Sequence, residues 1–268
     1  EQITARGVGN GISLIIFAGI VAELPQALAG TLELGREGAL STALIIALLV
    51  MAVVVIAVIV FMERAQRRLL VQYPKRQVGN RMFQGDASHL PLKLNSAGVI
   101  PPIFASSLLL LPITVANFSA GQGPEWLTTV TAMLGRGQPL HVMIYIALII
   151  FFAFFYTAVV FNPKDTAENL KKYGGFLPGI RPGERTAEYI DYVLTRITVV
   201  GAIYLAAVCV LPEVLISYAG VPFYFGGTSL LIVVSVTMDT VAQIQSHMLA
   251  HQYEGLIKRS RLRGARRS

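Results

Sequence analysis

Two ionisable residues inside apolar stretches are the first candidates for chemistry. Arg196 and Asp239 each interrupt a long apolar stretch, at similar depth if both stretches cross a membrane. Either they belong to a proton or ion relay, or they are structural, as an interhelical pair or as a snorkelling arginine and a hydrated aspartate. We favour the structural interpretation, because a relay needs more than one titratable group along its path.

The remaining reactive residues form no catalytic pattern. The sequence contains no HExxH, GxSxG, P-loop or CxxC motif, and its single cysteine, Cys209, lies in an apolar run. His247 and His251 are spaced to share a helix face, but they lack a third ligand for a metal. We therefore predict no catalysis, no cofactor and no metal site.

The composition indicates a membrane protein. Of the 268 residues, 54% are hydrophobic, which exceeds what a soluble domain of this size needs to fill one core. Six stretches are long enough for a membrane-spanning helix of about 20 residues. We expect an all-α polytopic membrane protein whose six transmembrane helices lie at residues 12–30, 41–62, 97–118, 141–161, 192–213 and 227–249.

Lysine and arginine are distributed unevenly between the two sides of these helices. The segments on one side contain 19 of the 22 basic residues, whereas the segments on the other side contain only Arg36 and Arg136. Basic residues accumulate on the cytoplasmic side of membrane proteins. The pattern therefore predicts that both ends of the chain, the loops 63–96 and 162–191, and the tail 250–268 are cytoplasmic.

The two long loops are unlike simple connections between helices. Each has about 30 residues, and long loops inside compact domains are usually functional. The first alternates charged and apolar residues, which predicts that a helix continues out of the membrane and is followed by a short hairpin. The second contains "KKYGGFLPGIRPGER" (171–185), in which six of fifteen residues are Gly or Pro. This composition excludes a helix and favours consecutive turns.

The basic charge of the cytoplasmic side has two explanations. It can reflect topology and attraction to anionic lipid, which we favour for the tail 250–268. Alternatively, basic side chains on the projecting loops bind RNA phosphates or an acidic protein surface.

Several motifs, in order along almost the whole chain, resemble the bacterial SecY family, which provides the central subunit of the Sec protein translocase. They are "GNGIS" (9–13), "HLPLKLN" (89–95), "GVIP" (98–101), "FFYTAVVFNPKDTAENLKK" (154–172), "PGIRPGE" (178–184) and "VPFYFGGTSLLIVV" (221–234). In that family ten helices form two pseudo-symmetric halves around an hourglass pore with a lateral gate. The resemblance implies that residues 1–268 are the C-terminal half, helices five to ten, and that the plug and the first gate wall belong to the other half.

The resemblance also implies roles for particular residues. The pore ring falls on Ile12, Ile16, Ile103 and Ile232. One side of the lateral gate falls on Asn95, Pro101, Ser106 and Ser107, where the additional Pro102 departs from the single-proline pattern of the family. Docking of the SecA motor or the ribosome falls on Arg67, Arg68, Lys75 and Arg81 of the first loop and on Lys171, Lys172 and Arg181 of the second.

A protein-conducting channel subunit is the function that the resemblance implies. Such a subunit passes unfolded secretory polypeptides across the bacterial cytoplasmic (inner) membrane and releases transmembrane segments sideways into it. The implied partners are the N-terminal half of the same channel, SecE and SecG, SecA, the ribosome including its rRNA, the nascent polypeptide or signal sequence, membrane lipids, YidC and SecDF.

Two other classes of protein remain open at this stage. Half of a secondary transporter also has broken helices, and it would bind substrate near the midplane through polar or charged ligands. The midplane positions of this sequence are mostly Ile, Val, Leu and Phe, which favours the channel. A multispan scaffold without a pore is the third class.

The distribution of basic residues predicts the accessibility of single cysteines placed in a background without Cys209. Cysteines at Gly85 and Gly183 should be protected from a membrane-impermeant maleimide in intact cells, whereas a cysteine at Gly123 should be labelled. Labelling of the Gly183 cysteine from outside the cell would overturn the predicted orientation.

Overall fold

The computed structural model describes residues 7, 11–38, 41–74, 76–78, 81–83, 87–118, 129–130, 132–135, 138–219 and 227–264. At positions 12, 76–78, 81–83, 116–117, 216, 218–219, 227 and 250–264 it describes the backbone only. The described helices are α1 (Gly11–Arg36), α2 (Thr42–Arg64), α3 (Ile100–Phe118), α4 (Pro139–Val160), α5 (Pro163–Lys172), α6 (Glu184–Ala219) and α7 (Gly227–Gly264). The described strands are β1 (Gln66–Gln72), β2 (Arg76–Val78), β3 (Arg81–Phe83) and β4 (Ala87–Lys93).

Helices α2 and α4 illustrate why the apolar stretches are helical. Both are apolar on all sides, and in lipid a backbone with no water nearby must satisfy its own hydrogen bonds. The side chain of Ser41 caps α2 by accepting a hydrogen bond from the Leu44 N–H, and Pro139 occupies the first turn of α4, where no helical N–H is needed.

Five of the described helices are long and apolar enough to cross a membrane. They correspond to five of the six predicted spans. The remaining prediction, 97–118, corresponds to α3, a shorter apolar helix that begins three residues later than expected. It begins late because Gly98 has a left-handed φ of 65°, which ends the preceding loop with a turn rather than a helix.

Two helices are longer than predicted, because the hydropathy of a span does not mark where a helix ends in water. Helix α6 has 36 residues and α7 has 38, so they are about 54 and 57 Å long at 1.5 Å per residue. The hydrocarbon core is only about 30 Å thick. Both helices therefore extend beyond the membrane.

The helices pack around one apolar core. Helix α4 contacts α3 and α6, while α7 contacts α1, α2 and α6. The core contains fully buried side chains from α2, α4, α6 and α7, namely Ile59, Ile149, Leu205 and Leu231. By contrast, most side chains of α1 are exposed in this chain.

The first long loop is a β-ribbon, so the predicted helical continuation of α2 is wrong. Helix α2 ends at Arg64, Ala65 is extended, and β1 pairs antiparallel with β4 from Gln66↔Lys93 to Gln72↔Ala87. Along β1, Leu69 and Val71 are buried and their neighbours are exposed, so the alternation has the period of a strand. The predicted hairpin is present, and the shorter pair β2 and β3 lies between β1 and β4 along the chain.

Candidate docking and gating site

The two long loops fold together into one unit, which we call the platform: the β1–β4 ribbon and the arm, residues 173–183. Gln72 at the end of β1 and Phe176 of the arm exchange two backbone N–H···O hydrogen bonds of 2.9 Å each. Beneath them lies an apolar cluster that joins ribbon, arm and α6: Leu69, Leu92, Leu177, Ile190, Val193 and Ile197. The platform is therefore fixed to the start of α6.

Two glycines allow the arm to approach the ribbon closely. A Cβ on Gly175 would lie 3.0 Å from the Val71 side chain and 3.1 Å from the Tyr73 ring. Gly174 has a φ of 75°, which reverses the chain directly after α5. These positions explain two of the glycines in the arm by packing and backbone geometry.

The tip of the arm has a defined shape, which confirms the prediction of consecutive turns. Gly179 and Gly183 have φ values of 82° and 111°, a range that side-chain-bearing residues rarely adopt. The Thr186 hydroxyl donates a 2.9 Å hydrogen bond to the Arg181 carbonyl oxygen, which ties the tip to the first turn of α6. The Arg181 side chain itself is exposed to solvent.

The other candidate docking residues surround this tip or lie outside the description. Arg67 and Arg68 are exposed neighbours on β1, so they point to opposite faces of the ribbon. Lys171 and Lys172 are exposed in the last turn of α5, immediately before the arm. Lys75 lies outside the described residues, and Arg81 lies in β3, where only the backbone is described.

A hydrogen-bonded junction, formed by Glu63, Asn95 and Gly98, connects the platform to α3. The Asn95 side-chain N–H donates to the Glu63 carboxylate at the end of α2 (2.6 Å) and to the Gly98 carbonyl oxygen (3.2 Å). The backbone N–H of Leu94 donates to the Ala65 carbonyl oxygen at 3.1 Å. Asn95 is only 6% exposed, so the strand β4 passes into α3 through a buried and fully connected turn.

Helix α6 packs directly against this junction at a glycine. A Cβ on Gly201 would lie 2.6 Å from the backbone carbonyl oxygen of Leu94, closer than real side chains come. Because that neighbour is backbone, it cannot move aside as a flexible side chain would. Gly201 therefore allows α6 to support the first residues before α3.

The candidate gate residues of α3 have their own local geometry. Pro101 and Pro102 are fully buried in the first turn, where prolines remove no helical hydrogen bond. The hydroxyls of Ser106 and Ser107 both donate to the Ile103 carbonyl oxygen, at 2.9 and 2.8 Å. Both polar side chains are thus satisfied within the helix, so this face can meet lipid or another helix without an unpaired donor.

The candidate ring residues are distributed over three helices. Ile16 of α1 is 37% exposed, Ile103 of α3 is half-buried, and Ile232 of α7 is buried. The side chain of Ile12 lies outside the described residues. Of these helices, α1 and α7 pack against each other.

Arg196 and Asp239 do not form the ion pair that was one interpretation of the sequence. Within the part of the chain that the structure describes, Arg196 has no carboxylate within ion-pair distance, and its guanidinium lies 4.3 Å from the centre of the Tyr192 ring. Asp239 is exposed on α7, on the same side of the membrane as Glu63. The two charges are therefore separate features.

Three polar contacts were not predicted from the sequence. Besides the role of Glu63, a buried ion pair joins His141 Nε2 of α4 to the Glu213 carboxylate of α6 at 2.9 Å. The other ring nitrogen of His141 contacts the Leu134 carbonyl oxygen, and Tyr145 bonds Thr228 of α7 at 2.9 Å. A polar residue at each end of an apolar stretch is the signal that could have identified His141 and Glu213.

The described residues contain no group of three or more His, Cys, Asp or Glu side chains that could hold a metal ion. The chemistry that the site can perform is therefore non-covalent: a shaped basic surface, a buried junction and an apolar helix bundle. Together they describe a multi-pass helical membrane protein with a docking surface on one side.

Comparison with known proteins places this fold in one family. The family model described as SecY matches residues 1–241. The chain is 56% identical over 263 residues to the protein translocase subunit SecY of Rickettsia conorii (strain ATCC VR-613 / Malish 7), and 56% identical over 265 residues to that of Escherichia coli (strain K12). The chain belongs to the SecY family.

These relatives are longer than the chain, and the solved structures are more distant. Each alignment covers 98% of the chain but only 60% of the relative. A structure described as "The structure of a protein conducting channel" has a TM-score of 0.65 and 18% sequence identity, and the alignment covers 93% of this chain and 61% of that one. At this identity the similarity shows the fold, which is that of SecY channels.

Replacing Gly201 with alanine should destabilise the protein by about 1–3 kcal/mol, because the new Cβ overlaps the Leu94 carbonyl. The matched control is Gly19→Ala in α1, where a Cβ meets nothing within 4 Å and helix propensity alone favours alanine. Thermal unfolding in detergent can be followed by the reaction of buried Cys209 with a fluorescent maleimide. Equal unfolding midpoints for both variants would show that α6 does not support the junction.

Proposed function

We propose that residues 1–268 form the C-terminal half of a channel that conducts unfolded secretory polypeptides across the bacterial cytoplasmic membrane and releases transmembrane segments sideways into lipid. The observation that carries this proposal is the continuity of the platform with α3. A partner that binds the platform contacts a unit joined to α3 by Asn95, without a flexible linker between them. Membership of the SecY family supports the same conclusion.

The platform is suited to docking of the SecA motor or the ribosome, including its rRNA. Its exposed cations include Arg67, Arg68, Lys171, Lys172 and Arg181, which suit acidic protein surfaces and phosphates. The arm is held in shape by its glycines and by Thr186, so it loses little conformational entropy when a partner binds. We assign Lys75 and Arg81 to the same docking surface.

Within the membrane, α3 serves as one wall of the lateral gate through Asn95, Pro101, Ser106 and Ser107. Both serine hydroxyls are bonded inside the helix, so separation of α3 from an opposite wall exposes no unpaired side-chain donor to lipid. The ring of Ile12, Ile16, Ile103 and Ile232 forms an apolar constriction that offers no groups to replace the hydration of ions.

The remaining parts of the machine come from other polypeptide segments. The N-terminal half supplies the plug and the second gate wall, and SecE, SecG, YidC and SecDF are further partners beside the nascent chain or signal sequence. Both ends of this segment and the platform are cytoplasmic. The channel itself makes and breaks no covalent bonds, so ATP hydrolysis belongs to the motor.

Half of a secondary transporter is the alternative function, and the structure gives it little support. A transporter site requires polar ligands near the midplane. The best-defined cavity among the described residues is lined by apolar side chains of α2, α4 and α6. It opens to lipid and carries no ligand for a polar substrate.

Reversing the charge of Arg181 tests the docking surface. If Arg181 meets a desolvated acidic or phosphate partner, Arg181→Glu should reduce SecA-driven translocation at least tenfold, because breaking a close charge pair costs about 2–5 kcal/mol. The complex should still assemble, since the side chain is exposed. Translocation of a secretory precursor into membrane vesicles measures the effect.

Lys171→Glu is the matched control for this experiment. Lys171 is equally exposed, lies beside Lys172, and is not part of the shaped tip, so a smaller loss is expected. Equal and small losses for both variants would show that the arm acts only as diffuse charge, and the specific role of Arg181 would be abandoned.

Polar substitutions test the apolar ring. Ile103→Gly or Ile232→Ser should raise the ion conductance of the assembled complex in planar bilayers, because water then enters the constriction. Ile46→Ser on the exposed face of α2 is the control and should leave conductance unchanged. Unchanged conductance in all three variants would place the constriction elsewhere.

A further inference from the structure

Arg196 is a charged side chain that the proposed channel function does not use. It lies on the exposed face of α6, stacked on Tyr192 at 4.3 Å. Among the described residues no carboxylate pairs with it. The stack fixes the plane of the guanidinium by a cation–π contact and leaves its N–H groups available to an acceptor. Its counter-charge must therefore come from outside this chain.

The same face of α6 continues into an apolar groove. The groove lies between three helices and is lined by side chains such as Met51, Ile146, Ile150, Ile203, Ala207 and Val210. Ile203 is seven residues from Arg196, two helical turns along the same face and about 10 Å away. The cation therefore lies at the platform-side end of the groove, and only apolar residues follow it toward the membrane interior.

The dimensions of the groove exclude a transmembrane helix as its occupant. Its volume is about 590 Å³, and from Ile203 to Leu215 it follows α6 for about 18 Å. The mean cross-section is therefore about 33 Å², less than half of the roughly 80 Å² of a helix about 10 Å across. A single extended hydrocarbon chain is the narrower apolar occupant that a membrane supplies.

We propose that Arg196, Tyr192 and this groove form a binding site for one anionic phospholipid. The guanidinium donates hydrogen bonds to the phosphate at the headgroup level, where Arg and Tyr side chains are stable. One acyl chain lies in the groove against Ile203 and Ala207. This site goes beyond the proposed channel function, because its test measures binding and not translocation.

The experiment uses the detergent-purified channel complex, titrated with phosphatidylglycerol or with phosphatidylcholine of identical acyl chains. Native mass spectrometry counts the bound lipids. We expect one phosphatidylglycerol to be retained in preference to phosphatidylcholine, and Arg196→Gln to weaken this binding about tenfold. Ala207→Phe, which fills the groove without changing Arg196, should weaken the binding of both lipids. The matched control is Arg185→Gln, an exposed arginine on the same helix outside the membrane.

Three outcomes would overturn the site. One is equal retention of the two lipids, which removes the role of charge. Another is equal weakening by Arg196→Gln and Arg185→Gln, which indicates diffuse surface charge. The third is displacement of phosphatidylglycerol by millimolar inorganic phosphate with no effect of Ala207→Phe, which indicates a phosphate site without the groove. Unfolding midpoints of all variants, followed through Cys209, distinguish misfolding from lost binding.

Discussion

The buried amide of Asn95 is the contact on which the rest of this architecture depends. It bridges the carboxylate at the end of α2 and the carbonyl of Gly98, while the Leu94 backbone rests on Gly201 of α6. A buried amide is expensive unless its hydrogen bonds are made, so the three elements are held in one arrangement. Because β4 ends at this point, the orientation of the platform is set relative to α3 and not by the loop alone.

The solvent on each side determines what the rest of the chain can do. In lipid the apolar side chains gain little by burial, so packing there uses close contact at small residues and a few polar pairs, such as His141 with Glu213. In water the platform has an ordinary apolar cluster beneath it, which includes Leu69, Leu177 and Ile190. The long helix α6 takes part in both regimes and connects them mechanically.

The sequence predicts those features that depend on composition or on one local pattern. Membrane helices follow from hydropathy, because lipid leaves the backbone no other partner, and the turns at Gly179 and Gly183 follow from residue type. The β-ribbon was missed because charged and apolar residues alternate in a way that fits either a helix end or a strand. The junction was missed because Glu63 and Asn95 are 32 residues apart, and their meeting depends on tertiary packing.

The glycine at position 201 shows why such junctions escape prediction from sequence. In an apolar stretch it resembles any other small residue at a helix contact, and its sequence neighbours do not reveal the backbone that it meets. Only the approach of Leu94 from a different loop gives the position its meaning. Positions of this kind link the aqueous and the membrane parts of the protein, since a change on either side must pass through a contact that has no room to relax. The stiffness of that contact, more than the charge of the platform, determines whether a docked partner can displace α3.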